Sequence, residues 1–145
     1  MTSEIQIRVF SLSIKDIFKD GLEYAIYWLM KKGDNPCYFR ENSPRNLPSG
    51  SIMLFKFKAQ IFGQAIVKEE KRKVSAKKQA ELRAENGYLY KHYLTFEPSS
   101  IDIFQRYPSQ KEVEQKLNIK LARNFAPLSW EQYQEVLKMA KRRPE

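Results

Sequence analysis

Over residues 51–67 apolar and polar positions alternate as they do in two extended strands joined by a tight reversal. Residues 51–58 are rich in aromatic and branched side chains, and 61–67 resume that pattern after Ala59-Gln60, which predicts a β-hairpin. Gly63 then marks a point where backbone or ligand must approach closely. Met53, Phe55 and Phe57 share one face of the first strand. Ile52 and Leu54 begin the other face, and Lys56 and Lys58 then take it over. Such a strand is covered on both sides at one end and wet on one side at the other, which suits a curved sheet or small barrel with a helix against part of its outside. Leu47-Pro48-Ser49-Gly50 ahead of it is a turn, with proline setting φ and glycine tolerating a positive one.

Residues 4–12 alternate Ile5, Ile7 and Val9 with Gln6 and Arg8 and predict the first strand. Ser13 can cap a long helix running to about Lys32, with Asp16 in its first turn. Its apolar stripe is Ile14, Ile17, Phe18, Leu22, Ala25, Ile26 and Leu29. Lys31, Lys32 and Gly33 suit its end. Tyr24 and Tyr27 fall off this stripe and Trp28 lies at its edge. They either pack at the rim or face a ligand pocket between helix and sheet. Residues 34–48 carry Pro36, Pro44 and Pro48 and cannot be regular helix. Tyr38-Phe39-Arg40 is a short extended piece, after which Arg40-Glu41-Asn42-Ser43 presents polar groups beside aromatic ones.

The charged run after Val67 leads into a short, mostly wet helix at 76–85 with Leu82 as its one large apolar residue. Residues 88–96 and 100–104 predict a second hairpin that completes the barrel. Capping boxes at Ser109/Glu112 and Ser129/Gln132 open two carboxyl-terminal helices. Trp130, Tyr133, Leu137 and Ala140 form the buried stripe of the second. The 145 residues therefore predict one α+β domain, 1–145: a small curved barrel of five to six strands, a long helix after the first strand, and carboxyl-terminal helices.

Charge changes this picture from a fold to a partner. The formal net charge is +9, and the excess is clustered: Lys68, Lys71, Arg72, Lys73, Lys77 and Lys78 follow the hairpin, and Lys138, Lys141, Arg142 and Arg143 end the chain. Positive clusters beside aromatic residues are the footprint of a nucleic-acid binder, with the first cluster as phosphate contacts; the alternative is a solvated basic face. No basic stretch has the apolar partner face that a membrane surface needs.

Other chemistry has little support. One cysteine, Cys37, allows no internal disulfide, and with no signal-peptide pattern the expected setting is the cytoplasm. One histidine and one cysteine without CxxC or HExxH spacing leave no zinc site, and no glycine-rich phosphate loop occurs, so neither metal nor cofactor is expected. His92 reads as a partly buried structural side chain and Cys37 as a small core residue. A Lys56–Glu41 pair could serve as nucleophile and acid, but nothing singles it out, and no catalytic residue is assigned.

What remains is aromatic residues interleaved with Arg, Asn, Ser and Lys on a curved sheet, the ingredients of a pocket for an unstacked base. The order strand, long helix, polar loop, then GSxxLFxFxxxIxGxAxV and YLTFEPSSIDIF resembles the PUA-like superfamily, and within it the EVE, YTH and ASCH group. That group includes modified-base readers attached to modification-dependent restriction endonucleases. The resemblance covers residues 4–107. It implies a barrel that holds a flipped or single-stranded modified base in an aromatic pocket near the first helix and the loop after it. Here that implicates Tyr27, Trp28, Tyr38, Phe39, Arg40, Asn42 and Ser43. The implied function is a noncatalytic module recognising a modified base in DNA, with a fused or partner nuclease. The alternatives are an RNA-binding PUA or YTH-like module and an ASCH-like amidohydrolase acting on a modified nucleoside.

Overall fold

The computed structural model describes residues 5–13, 20–39, 47–87, 89–121 and 126–141. Strands β1 (Ile7–Leu12), β2 (Cys37–Phe39), β3 (Ile52–Phe57), β4 (Gln60–Lys73), β5 (His92–Phe96), β6 (Asp102–Ile103) and β7 (Ala126–Pro127) form one curled sheet. The order is β2-β5-β4-β3-β1-β7, with β6 paired to another part of β4. Helices α1 (Leu22–Met30), α2 (Ala76–Asn86), α3 (Gln110–Leu117) and α4 (Trp130–Ala140) pack around it.

The β3–β4 hairpin turns at Lys58 and Ala59, one residue earlier than the hydrophobic pattern suggests. Both have positive φ, 48° and 64°, the backbone hand that matches a two-residue loop to strand twist. β1 pairs in parallel with β3, Ile7 opposite Ile52 through Leu12 opposite Phe57. Buried Ser51 clips the start of that pair by accepting a 3.0 Å bond from the Gln6 amide. The capping boxes at Ser109/Glu112 and Ser129/Gln132 both form.

Several expectations need correction. The first helix is not continuous from Ser13 to Lys32, because Gly21 sits at φ 124°, outside helical space, and α1 begins at Leu22. Ile14, Ile17 and Phe18 lie outside the described residues. The end of α1 tightens into a 3-10 turn, Lys31–Gly33. β4 does not stop at Val67 but carries the charged run to Lys73. β5 begins at His92, and β5 and β6 do not form a hairpin; each pairs with β4, and the 3-10 turn Pro98–Ser100 separates them. The expected small curved sheet with helices around it is present among the described residues, two of its strands being only two residues long. Trp130 is half exposed at 51%, while Tyr133, Val136 and Ala140 form the buried face of α4.

Lys56 is the largest departure from the pattern. It was expected on the wet side, yet only 6% of it is exposed. α3 covers that side, and the Lys56 ammonium donates to Gln110 Oε1 at 2.7 Å and to the Leu121 carbonyl at 2.9 Å. Burial lowers its pKa, while the charge of Glu114 pulls the other way. A charge so enclosed must find partners within the protein.

Two cores flank the sheet. On the α1 side are Phe10, Leu29, Phe39, Met53, Phe55, Phe62 and Phe96. On the α3 and α4 side are Val9, Leu54, Ile61, Val113, Leu121, Tyr133 and Val136. Gly63 is where β4, β6 and α1 meet, since a Cβ there would lie 2.8 Å from the Asp102 carbonyl oxygen and 2.8 Å from Leu29 Cδ2. Gly63→Ala is therefore expected to cost about 1–3 kcal/mol as an overpacked site, read as a lowered urea midpoint. An unchanged midpoint would mean the three elements separate more easily than this packing implies.

Candidate nucleic-acid interface

The site begins with the two faces of α1. Ala25 and Leu29 are fully buried and Leu22 and Ile26 half-buried against the sheet, whereas Tyr27 and Met30 are exposed at 59% and 60%. Trp28 lies between: its indole meets Phe55 edge-on at 5.8 Å, and the Lys32 ammonium sits over it, 4.9 Å from the ring centroid. One residue earlier in each case, Lys31 lies 4.9 Å from the Tyr27 centroid. Lys32 also donates to the Pro36 carbonyl at 3.2 Å, and burial lowers its pKa. An ammonium has three donors, so Lys32 can serve a ligand without giving up that bond.

β2 separates the two aromatic residues assigned to it. Cys37 and Phe39 point into the α1-side core, where Phe39 meets Phe10 edge-on at 5.4 Å. Tyr38 points to the opposite face. There it contacts Tyr90 and Tyr93, each 5.9 Å away, beside a small third cluster of Val74, Leu82 and Tyr90 beneath α2. Burial raises the pKa of its hydroxyl, and nearby Lys78 opposes that shift. Tyr38 and Phe39 thus do not wall the same space. Arg40, Asn42 and Ser43 lie outside the described residues.

The cationic run occupies the far half of β4 and the start of α2. Lys68, Arg72, Lys73, Lys77 and Lys78 are all exposed, and Lys71 belongs to the same strand. Two of these charges have acidic neighbours: Arg72 lies 3.9 Å from Glu69 and Lys78 lies 3.7 Å from Glu81. Exposed pairs of this kind are weak and would exchange readily for phosphate.

A depression of about 250 Å³ joins the two regions. On one side is the 3-10 turn at the end of α1 with Lys32, Asp34 and Asn35; on the other are Lys68, Glu69 and Thr95. Pro36, Phe96 and Pro98 supply its apolar surface. One end is closed by Gly33, where an added Cβ would lie 3.3 Å from Pro98 Cβ. The Pro98–Ser100 turn is fixed by Ser100, whose hydroxyl donates to the Glu97 carbonyl at 2.7 Å and accepts from the Ile66 amide at 2.8 Å. The sequence had pointed to neither Lys32, Glu69 nor Thr95 as a site residue. The one available signal was the EPSS turn, whose place opposite the helix end follows only from strand pairing.

Among the described residues no group of three His, Cys, Asp or Glu could hold a metal ion, and no helix is long and apolar enough to cross a membrane. No protein-family model matches the sequence, and comparison with curated proteins finds no match. Solved structures do match. The ASCH protein of Zymomonas mobilis aligns with a TM-score of 0.61 at 9% identity, over 94% of this chain and 96% of that one. A Rhodopseudomonas palustris protein solved by NMR gives 0.59 at 11% identity, over 94% and 93%. A YTH domain of Zygosaccharomyces rouxii, in complex with N6-methyladenosine RNA, gives 0.51 at 13% identity, over 99% and 92%. The chain has the α+β, PUA-like fold of these ASCH and YTH structures.

Proposed function

We propose that this chain is a nucleic-acid-binding module that seats one modified base beside Trp28, with the β4 and α2 cations holding the flanking phosphates. The observation that carries the reading is the end of α1: a half-buried indole under a desolvated lysine that also lines the depression. A base needs a flat apolar wall, polar groups for its edge, and positive charge nearby for its backbone. Trp28 and Tyr27 offer ring faces, Lys32 a donor, and Arg40, Asn42 and Ser43 follow directly on β2 in the sequence as edge readers. Phe39 supports this seat from within the core, and Tyr38 belongs to the packing of α2.

The polymer is DNA if the resemblance to restriction-associated modules extends to function. The YTH neighbour with its N6-methyladenosine RNA supports an RNA instead. The 2′-hydroxyl is what a protein uses to tell them apart. Titrating the chain with methylated and unmodified oligonucleotides of one sequence, as DNA and as RNA, tests both. The modified strand is expected to bind about fourfold tighter or more, because burying the added methyl carbon contributes about 0.8 kcal/mol. Tyr27→Ala and Asn42→Ala should lower that ratio while the variants keep the native melting temperature. Equal affinity for modified and unmodified strands in both polymers would overturn the reading, and release of product from a modified nucleoside would replace it with a hydrolytic one.

A further inference from the structure

We propose that the depression between the Lys31–Gly33 turn and the β4–β5 pair is a second base subsite, which takes the nucleobase next to the modified one and selects bases carrying an exocyclic amino group. This rests on the nucleic-acid reading above. A phosphate subsite gathers donors and positive charge. Here Lys32 and Lys68 are matched by Asp34 and Glu69, so a phosphate would meet as much repulsion as attraction. A base edge is neutral and carries donors and acceptors at fixed positions. Carboxylates accept, ammonium groups donate, and the Asn35 amide and Thr95 hydroxyl do both. The volume, about 250 Å³, lies just below the roughly 300–1,000 Å³ of ordinary ligand sites and suits a single heterocycle.

Strand geometry supports this independently. Lys68 and Glu69 are consecutive, and in a regular strand they would face opposite ways. Both line the depression because the register of β4 against β5 shifts between Val67 and Glu69 and again between Glu69 and Arg72. Irregularities of this kind re-aim side chains. Thr95 donates to Glu69 Oε1 at 3.4 Å, which holds the carboxylate at the rim and leaves it further lone pairs for an amino group. Adenine, cytosine and guanine offer it an exocyclic amino group, whereas uracil and thymine offer only a ring N3–H flanked by two carbonyl oxygens that a carboxylate repels.

The test uses the full chain and short oligonucleotides carrying a central N6-methyladenosine, the base in the YTH complex, with cytosine or uracil (thymine in DNA) as neighbour. Cytosine neighbours are expected to bind about tenfold tighter, as one well-formed base contact allows. Glu69→Gln should bring that preference within twofold, by weakening the cytosine-flanked strand and strengthening the uracil-flanked one as the amide removes the repulsion, with the melting temperature unchanged. Lys68→Gln should weaken both oligonucleotides alike. Binding of the modified strand without a neighbour preference, or a preference that survives Glu69→Gln, overturns this subsite alone. Absence of binding to every modified strand overturns the parent reading with it.

Discussion

Replacing Phe55 with alanine is expected to remove about 3–5 kcal/mol of stability, the usual cost of deleting a buried aromatic ring. Phe55 is fully buried, and three rings approach it edge-on: Phe10 at 6.0 Å, Phe96 at 5.8 Å and Trp28 at 5.8 Å. Edge-to-face pairs each add to the area effect, and the cavity would open between the sheet and α1. Urea unfolding followed by tryptophan fluorescence reads both consequences, because Trp28 loses its packed neighbour as the fold weakens. The variant should also bind a modified oligonucleotide less selectively under conditions where it remains folded. A loss below about 1 kcal/mol would mean that α1 can settle onto the sheet without this ring, as cost depends on how far a site collapses.

The second large effect is electrostatic. Replacing Lys73, Lys77 and Lys78 together with glutamine removes three exposed cations from one surface. Each duplex phosphate contact contributes about −0.9 to the slope of log K against log[salt], and each single-strand contact about −0.7. A wild-type slope near −3 to −4 should therefore flatten by about 2 to 3, with about a hundredfold loss of affinity near 0.1 M salt. Modified and unmodified strands should lose affinity equally, since phosphate contacts carry no base information. An unchanged slope would reduce the cluster to a solvated face.

Much of the architecture was legible because it rests on local rules. The hairpin follows from alternation in 51–67, and the α3 and α4 starts follow from Ser-x-x-Glu and Ser-x-x-Gln, which satisfy amides wherever they occur. Two kinds of error occurred: the break at Gly21 and the turn at Lys58-Ala59 are local backbone choices, whereas the others depended on a partner distant in the chain. Lys56 reads as wet until α3 is laid over it, and β5 and β6 read as a hairpin until β4 proves long enough to pair with both. Trp130 has the spacing of a core residue, but Tyr133 takes the buried position and bonds Gln64 of β4 at 2.7 Å.

The site was less legible still. Trp28 was named as a candidate for its place at the edge of the apolar stripe and through the family resemblance. The alternation that makes β2 a strand sends Tyr38 and Phe39 to opposite faces, so their adjacency in sequence, which suggested a shared pocket, argues against one. Glu69 was hidden in a charged run from which only the cations were singled out, and its place in the depression depends on a register slip that no local pattern predicts.

The parallel pairing of β1 with β3 has a consequence for how the chain is made. β1 leaves the ribosome before either partner strand, with apolar residues on both faces, and Ile7 must wait for Ile52 and Arg8 for Pro127. Until then both of its edges are open, the condition under which nascent strands associate with one another. The β3–β4 hairpin closes locally, and contacts of short sequence separation form early. It is therefore the expected template for β1, but it covers only one edge, and the other stays open to other chains until Ala126 and Pro127 have been made.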